Sequence, residues 1–446
     1  MLTDEAGHHI WGAGAWPTAR SVAMRPDRLA ANDGRPLVPA GLVETMDVVG
    51  SKIRVPGYDT IVSAIVRAFA DVRVDTAHPF REPVSNADLL LVPYDFRLGV
   101  AAAAVYVRDV VERRLAALHP STRRRRVFVI GHSMGGLVAR YWLGPLGGAP
   151  DCAALLTLGT PYGGAPVALD KLVNGFRVGG HLFRGITDVM RSWPSIYDLL
   201  PRYRAVHVDG TAQYPYTLDL MAEQGFTEAV LRGLQTHTDT DAAWAHIVDT
   251  PDIIAAFSIG HPTPLKGVVV DGVLSVTKDS DPTLPNPGWA GDGTVPADCA
   301  IPHQLTDRRA WRQLPHRHLP MPSARVVVDT LRDFSAHDTS SMRGGDSLGE
   351  PWLGVDLEET YVEGDPVTVS GLLMEVEPGE RTSFWITATH RESKQRHRVK
   401  GDRNGSRFTA AFDGLPPGAY HVRISALHIP RVDDVHCDDM FGVVAL

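Results

Sequence analysis

The feature that most constrains this chain is a short apolar run that ends at a glycine-flanked serine. Residues 123 to 143 read RRRRVFVIGHSMGGLVARYWL. The run from Val127 to Ile130 does not alternate between apolar and polar residues, so it predicts a strand that is buried on both faces. A helical pattern begins directly after Ser133. The serine is therefore expected at a tight turn between a strand and a helix.

The glycines around Ser133 indicate what this turn does. Gly131, Ser133 and Gly135 fit the spacing G-x-S-x-G, which is the nucleophile elbow of α/β-hydrolases when a strand precedes it and a helix follows. Glycine at the outer positions lets the strand and the helix approach closely while the serine is strained. The backbone N–H of Met134 then faces a substrate oxygen at a helix N-terminus, which predicts an oxyanion donor. The competing interpretation, an ordinary glycine-rich turn, leaves the flanking strand and helix unexplained.

Length and composition restrict the class of protein. The chain has 446 residues, enough for one large domain and a small one. A formal net charge of -8 argues against a nucleic-acid partner. Cys152, Cys299 and Cys437 lie far apart, so they predict neither a disulfide framework nor a zinc site, and they suit a reducing compartment.

The sequence shows no targeting or membrane-spanning segment. It contains no run of 18 apolar residues, so no transmembrane helix is predicted. The N-terminus, MLTDEAGHHIWG, lacks the basic and apolar regions of a signal peptide. We therefore expect a cytoplasmic protein, unless an upstream segment carries a signal; nothing in the sequence sets the oligomeric state.

Apolar runs and helical patterns alternate along the first half of the chain. The composition of residues 1–50 predicts loops and short turns. Asp59 is a candidate N-cap for the helix predicted at 60–70. The predicted strands are 51–55, 89–92, 127–130, 153–158 and 253–259, and the predicted helices are 60–70, 101–118, 134–143 and 324–334. The apolar side of the second helix is expected to be Val105, Val111, Leu115 and Leu118. This order predicts a parallel sheet with helices on its faces.

Two segments interrupt that order. Residues 162–250 are too long for a connecting loop, so they predict a cap inserted over the site. Residues 264–290 predict a β-hairpin with proline-rich ends. Residues 1–339 are therefore expected to form an α/β-hydrolase domain that carries the cap.

The hydrophobic pattern of the sequence changes after a predicted linker at residues 340–349. Short alternating strands are predicted at 367–369, 382–389, 406–412 and 420–426. Residues 350–446 therefore predict an all-β sandwich that is immunoglobulin-like or fibronectin-like.

A serine nucleophile needs a histidine base, and the base needs an acid that orients it. In this fold the acid follows the serine and the histidine comes last. Asp292 in GWAGDGTVP is the better acid candidate, with Asp281 and Asp298 as rivals. His316 and His318 both have a suitable position before the last helix, and the pattern alone does not separate them.

A set of motifs resembles the lecithin:cholesterol acyltransferase family, which includes phospholipid:diacylglycerol acyltransferases. The similar segments, in the family's order, are IRVPGYD at 53–59, PYDFRL at 93–98, GHSMGGLVARYWL at 131–143, LGTPYGGAP at 158–166, SWPSIYDLLP at 192–201, GDGTVP at 291–296 and HLPM at 318–321. The resemblance implies Ser133 as nucleophile, Asp292 as acid and His318 as base. It also implies that Asp95 and Arg97 form a structural ion pair.

One departure from the family concerns the second oxyanion donor. In the family a Pro-Gly-rich loop supplies it, just ahead of a segment similar to LTDEAGHHIWG, and this chain begins at that segment. The first strand and the oxyanion loop are thus expected to be missing from the sequence, with the true start upstream. The alternatives are that residues 55–58 (VPGY) serve instead, or that catalysis is impaired.

The resemblance implies an O-acyltransferase or a phospholipase or lipase that acts on lipid esters through an acyl-enzyme. A membrane surface is one place where such a substrate is expected. Neither a cofactor nor a metal is expected. The alternatives are a water-only esterase and a catalytically impaired binding protein, and a third is that the sandwich sets function by docking.

Other features favour ordinary interpretations. Arg123–Arg126 predicts a solvated turn more than a lipid-headgroup patch. His8, His9, His261 and His303 share no metal-ligand spacing. Trp193 and Tyr197 fit an acyl groove and a cap core equally.

Overall fold

The structure, a computed structural model, describes most of the chain. Its described residues are 1–11, 26–31, 36–42, 46–48, 53–55, 58–82, 84, 86–118, 127–323, 325–336 and 350–445. The predictions for the arginine run at 123–126 and for the linker at 340–349 lie outside these residues.

Short strands occupy part of the N-terminal region, where loops were predicted. They are β1 (Leu2–Thr3), β2 (His9–Trp11), β3 (Val38–Pro39) and β4 (Met46–Val48). The strand predicted at 51–55 is present as β5 (Ile53–Val55). The first three form an antiparallel sheet in the order β2-β1-β3, and β4 pairs with β5. Strands of two or three residues are too short to show the two-residue periodicity by which strands are recognised.

Two helices and a pair of parallel strands follow. They are α1 (Asp59–Ala68), β6 (Val74–Thr76), β7 (Leu89–Leu91) and α2 (Val100–Ala116). Asp59 is the first residue of α1 and not its N-cap, which is Tyr58. A carboxylate in the first turn still complements the positive end of the helix dipole.

The predicted apolar face of α2 is confirmed at Val111, which is buried in the core, and at Leu115, which packs against it, but it is wrong at Val105. Val105 on that face is exposed, whereas Ala103, Ala104 and Val110 are buried. Ala103 and Ala104 belong to the core cluster that α2 shares with the next helix. Small side chains permit this close helix packing, and a count of large apolar residues does not detect it.

The main sheet carries the site. Its first part comprises β8 (Val127–His132), α3 (Met134–Leu143) and β9 (Cys152–Leu158). The segment that follows contains α4 (Pro166–Asn174), β10 (Arg177–Val178), β11 (His181–Leu182), α5 (Arg184–Arg191), α6 (Pro194–Asp198), β12 (Val206–Val208), β13 (Thr211–Gln213), α7 (Asp219–Glu223) and α8 (Thr227–Trp244). After it come β14 (Asp252–Phe257), β15 (Lys266–Val270), β16 (Val273–Thr277), β17 (Trp311–Gln313) and α9 (Arg325–Ser335).

Strands β17, β14, β9 and β8 form the sheet in that order, and every pair is parallel. Helices cover both faces. Ile61 of α1 and Val327 of α9 share one core cluster with Leu156 of β9, whereas α2 and α3 share another cluster with Leu155. Neighbouring residues of β9 thus point to opposite layers, as a strand buried on both sides requires.

The segment between β9 and β14 has its own apolar core. That core holds Trp193 and Tyr197 together with Ile10 and Leu29 from the N-terminal region. The predicted hairpin is present as β15 and β16, and it extends a sheet in the order β13-β12-β15-β16.

The C-terminal region is all-β. It contains β18 (Trp352–Asp356), β19 (Thr360–Val362), β20 (Val367–Met374), β21 (Ser383–His390), β22 (Arg396–Lys400), β23 (Asp402–Asn404), β24 (Arg407–Phe412), β25 (Gly418–Leu427) and β26 (Val435–Val444). Two sheets, β18-β20-β24-β23 and β19-β26-β25-β21-β22, contribute to one core cluster that includes Phe408 and Phe441. The immunoglobulin-like or fibronectin-like assignment of this region stays a prediction.

Candidate active site

Ser133 lies at the turn between β8 and α3. Its backbone has φ 52° and ψ −129°, a left-handed conformation that costs a non-glycine residue about 1–3 kcal/mol. The Ser133 N–H donates to the carbonyl of Leu158 at 2.9 Å. The neighbouring strand therefore holds this strained residue at the end of the sheet.

Two glycines permit the tight turn, but one of them is not the glycine that was predicted. A Cβ on Gly131 would lie 2.7 Å from Gly136 Cα, and a Cβ on Gly136 would lie 1.9 Å from Thr160 Oγ1. A Cβ on Gly135 would meet only the Tyr94 hydroxyl, at an ordinary 3.6 Å. The steric requirement thus falls on Gly131 and Gly136, because α3 packs against Thr160 one residue later than the motif suggests.

The structure brings Ser133, His318 and Asp292 into one hydrogen-bonded series. His318 Nε2 lies 3.0 Å from Ser133 Oγ, and His318 Nδ1 lies 2.7 Å from Asp292 Oδ2. Because an ionised carboxylate only accepts, Nδ1–H donates to Asp292 and Nε2 is left to accept the serine proton. Nucleophile, base and orienting acid have this geometry in serine hydrolases.

The acid is fixed by its own loop. Asp292 is 1% exposed, and its Oδ1 accepts the N–H groups of Thr294 at 2.9 Å and Val295 at 2.7 Å. Burial alone raises the pKa of Asp292, but His318 and these two N–H groups outweigh it, so the net pKa lies below its ordinary value. The carboxylate stays ionised and can orient the histidine.

The pKa of His318 is set by opposing causes. Burial lowers it, whereas the Asp292 carboxylate raises it by charge and by hydrogen bonding, and the net pKa is above the ordinary 6.5. His318 therefore gains proton affinity from the carboxylate to which it is bonded, which is the direction that a general base would need.

Sequence reasoning missed Gly159, which lies beneath the acid–histidine pair. Its φ is +54°, and a Cβ there would lie 2.7 Å from Asp292 Oδ2 and 3.0 Å from His318 Nδ1. The LGTP segment that follows β9 was the available signal, since loops at the carboxyl ends of parallel strands line sites in such sheets.

Sequence reasoning also missed His132, which precedes the serine. Its ring packs on the His318 ring at 4.9 Å between centroids. Its Nδ1 lies 2.9 Å from the Tyr58 hydroxyl, and its Nε2 lies 3.0 Å from the His318 carbonyl. Burial lowers the pKa of His132 to about 3, so the ring is neutral, with one nitrogen donating to the carbonyl and the other accepting from Tyr58.

The rival residues bond elsewhere. Asp281 Oδ2 lies 3.3 Å from His207 Nε2, and Asp298 accepts from the Asn286 side chain at 2.6 Å. The His316 carbonyl accepts from the Ser258 hydroxyl at 2.5 Å. None of these contacts reaches Ser133.

The predicted oxyanion donor lies at the start of α3. Met134 is the first residue of α3, so its N–H has no intrahelical acceptor. Of the alternative donor segment at 55–58, Pro56 and Gly57 lie outside the described residues, and the Tyr58 hydroxyl bonds to His132.

Several other side chains have structural surroundings. Arg97 and Asp95 form a buried ion pair at 2.6 Å. Trp193 donates to the Leu29 carbonyl at 2.7 Å and Tyr197 donates to the Arg191 carbonyl at 2.8 Å, both from within an apolar cluster.

Membrane spans and metal clusters were sought across the described ranges. No helix there combines the length and the apolarity needed to cross a bilayer, and no group of three or more His, Cys, Asp or Glu residues there could hold a metal ion. Cys152, Cys299 and Cys437 are free thiols, and each is buried.

Comparison with known proteins gives one informative match. No curated protein matches the chain. Among solved structures, superoxide reductase (neelaredoxin) from Ignicoccus hospitalis is similar over 21% of this chain and 80% of its own, at 8% identity, but the TM-score of 0.17 is too low to relate the two folds. The family model "Lecithin:cholesterol acyltransferase" matches residues 83–250, a range that includes Ser133 and ends before Asp292 and His318. Residues 83–250 are therefore similar to the lecithin:cholesterol acyltransferase family.

Proposed function

We propose that the protein transfers or hydrolyses the acyl group of a lipid ester through a serine-linked acyl-enzyme. The observation that carries this proposal is the hydrogen-bonded series from Ser133 through His318 to Asp292. The family match supplies the substrate class, because it points to lipid acyltransferase or phospholipase activity.

Each residue of the series has one task in this mechanism. His318 Nε2 takes the proton of the Ser133 hydroxyl as Oγ attacks the ester carbonyl carbon. The tetrahedral intermediate collapses, and the leaving alcohol takes the proton from His318. Asp292 holds the ring and stabilises the imidazolium.

The second half repeats these steps with a new nucleophile. Water or a lipid alcohol gives its proton to His318 and attacks the acyl-serine, which releases a fatty acid or a new ester and returns the proton to Ser133 Oγ. The Met134 N–H, at the positive end of α3, stabilises the oxyanion in both halves. One such donor is worth about 3–4 kcal/mol of barrier.

The proposal includes the domain roles. Residues 1–339 form the catalytic domain, residues 162–250 form a cap, and residues 350–446 form a sandwich. The separate apolar core around Trp193 and Tyr197 supports the cap, and it favours a packing role over an acyl-groove role for these two side chains.

Labelling with a fluorophosphonate probe tests the chemistry. The serine oxygen displaces fluoride from phosphorus only when a base activates it, so we expect one covalent adduct on Ser133 of the full chain. Ser133→Ala is the control and should carry no adduct. Failure of the unmodified protein to react at Ser133 would refute the acyl-enzyme mechanism.

Product analysis tests the substrate class. The protein is incubated with mixed phospholipids, with and without diacylglycerol or sterol, and products are identified by mass spectrometry. New esters support transfer, and free fatty acids alone support hydrolysis. Turnover of short water-soluble esters without any turnover of lipids would contradict the lipid substrate.

A further inference from the structure

The segment that carries His318 is bonded to the C-terminal strands. Arg317 Nη1 lies 2.5 Å from Asp439 Oδ2, and the two side chains are 11% and 4% exposed. Asp439 belongs to β26, which is more than 100 residues further along the chain. A buried charge in this position thus depends on a partner from the all-β region.

The Arg317 guanidinium also lies next to the acid loop. Its Nη2 and Nε would be 3.0 and 3.1 Å from a Cβ placed on Gly293, the neighbour of Asp292. Its Nε has no hydrogen-bond acceptor within the described part of the chain. Arg317 directly precedes His318 in the sequence, and its guanidinium lies beside the acid loop. If no partner held it elsewhere, this cation could compete with His318 for the Asp292 carboxylate.

A second contact ties the same segment to the C-terminal strands. His261 is fully buried, its Nδ1 accepts the Val355 N–H at 3.0 Å, and its Nε2 lies 3.3 Å from the Pro315 carbonyl. Burial lowers the pKa of His261 to about 4, so the neutral ring has one donor and one acceptor for these two bonds. The ring therefore connects β18 to the residue three positions before His318.

The backbones also pack closely at this contact. A Cβ on Gly354 of β18 would lie 2.2 Å from the Gly260 carbonyl oxygen, and a Cβ on Gly260 would lie 1.9 Å from the Trp352 ring. Since there is no room for a side chain at either position, β18 is fitted directly against the loop that follows β14.

We propose that Asp439 is a positioning residue for the site: by binding Arg317, the C-terminal region keeps this cation away from Asp292 and holds His318 in line with Ser133. The all-β region is then part of the acid–base apparatus and not an independent module. This inference rests on the proposed acyl-enzyme mechanism.

The charges around His318 give the inference a pH signature. Asp292 and Glu359 are anions near His318, Arg317 is a cation near it, and His132, whose ring is tilted by 39° against that of His318, is neutral. Asp292 and Glu359 raise the pKa of His318, and Arg317 lowers it. Loss of Asp439 leaves Arg317 unbalanced, so the pKa of His318 should fall.

Four variants of the full chain separate this role from general stability. Asp439→Asn removes the charge with little change of shape, and Asp439→Glu restores it. Asp438→Asn is the matched control, because Asp438 precedes Asp439 on β26 and pairs with Arg423 at the surface at 2.8 Å. The double variant Arg317→Met with Asp439→Leu removes both charges, which a buried pair often tolerates when the loss of one partner is harmful.

The measurement is the rate of fluorophosphonate labelling at Ser133 as a function of pH, with thermal unfolding as the check on folding. An aligned general base is worth about 10²–10⁴-fold, so we expect Asp439→Asn to label at least about tenfold more slowly. Its acid limb should move to lower pH. Asp438→Asn should match the unmodified protein, and Asp439→Glu and the double variant should recover most of the rate.

The outcomes distinguish this inference from the proposed function. If the unmodified protein does not label, both fail. If it labels and Asp439→Asn shows the same rate and the same acid limb, only the positioning role fails. It fails also if the folded double variant is as slow as Asp439→Asn, because the stray cation is then not the cause. If Asp439→Asn does not fold, the double variant decides. A folded double variant that labels slowly at Ser133 overturns the inference, and one that labels at close to the rate of the unmodified protein supports it.

Discussion

Gly159→Ala should disable the site while leaving the protein folded. The added Cβ would lie 2.7 Å from Asp292 Oδ2 and 3.0 Å from His318 Nδ1, whereas relaxed heavy-atom contacts to carbon are about 3.5–4.0 Å. The two side chains must therefore separate or shift. Asp292 cannot follow easily, because Thr294 and Val295 hold its other oxygen.

The expected loss follows from the size of that shift. A displacement near 1 Å costs a positioned catalytic group about 10²-fold in rate, which is about 2.7 kcal/mol of barrier. The substitution also forces an alanine to φ +54°, at about 1–2 kcal/mol of folding stability. The loss of activity should thus exceed what the loss of stability explains.

Gly210→Ala is the matched control. Gly210 has φ +78°, and apart from its chain neighbours no atom of the described residues lies within 4 Å of the position that an added methyl group would take. This variant therefore has the cost of the backbone conformation without the steric clash. The assays are fluorophosphonate labelling of Ser133 and urea unfolding of each variant. Labelling of Gly159→Ala within about threefold of Gly210→Ala, with both folded, would refute the coupling between Gly159 and the acid–histidine pair.

Three further predictions concern pH and packing. Because His318 must be neutral to act as the base and its pKa is raised, labelling should fall as the pH drops through a midpoint above about 6.5, and a midpoint below pH 6 would contradict the Asp292 coupling. Burial lowers the pKa values of His237 and His261 to about 4, so as the pH falls these histidines are protonated in the unfolded chain before they are protonated in the folded one. The free energy of unfolding should therefore fall by about 2 kcal/mol per histidine between pH 6.5 and 5. In urea titrations, the free energy of unfolding of His237→Gln should depend less steeply on pH than that of the unmodified protein. An unchanged slope against pH would contradict the prediction for His237. The Cβ that Gly136→Ala adds would lie 1.9 Å from Thr160 Oγ1, so this variant should lose about 1–3 kcal/mol of folding stability. Adding Thr160→Gly should recover part of that loss. Strict additivity of the two changes in the free energy of unfolding would argue against the contact.

Local patterns predicted the elements that position the nucleophile. The run at Val127–Ile130 extends to His132 as β8, and Ser133 has the left-handed backbone that an elbow requires. The alternation of strands and helices predicted the parallel order of β8, β9 and β14 correctly. It was wrong for the strands predicted at 51–55 and 89–92, because β5 pairs antiparallel with β4 and β7 pairs with β6, both outside the main sheet. The correctly predicted features depend on neighbouring residues, so a sequence pattern can carry them.

Features that depend on distant packing were not predictable. The role of Gly136 depends on Thr160, which is on another loop, and the buried face of α2 depends on how closely α3 approaches. Gly159 is explained only by the side chains that lie above it. In each case the cause is a contact between segments that are far apart in the sequence.

The choice between His316 and His318 shows the same limit most clearly. Four successive residues around the base bond to four different parts of the chain: the Pro315 carbonyl to His261, the His316 carbonyl to Ser258, the Arg317 guanidinium to Asp439, and the His318 ring to Asp292 and Ser133. These four parts are the loop that follows β14, the acid loop, the turn that carries Ser133, and β26. Residue types and spacing within the segment do not distinguish the two rings, and only the resemblance of HLPM at 318–321 implied His318. The positions of the rings are decided by those distant partners. The position of the proposed base is therefore set by several distant segments, including a C-terminal region that lies outside the motif around the serine.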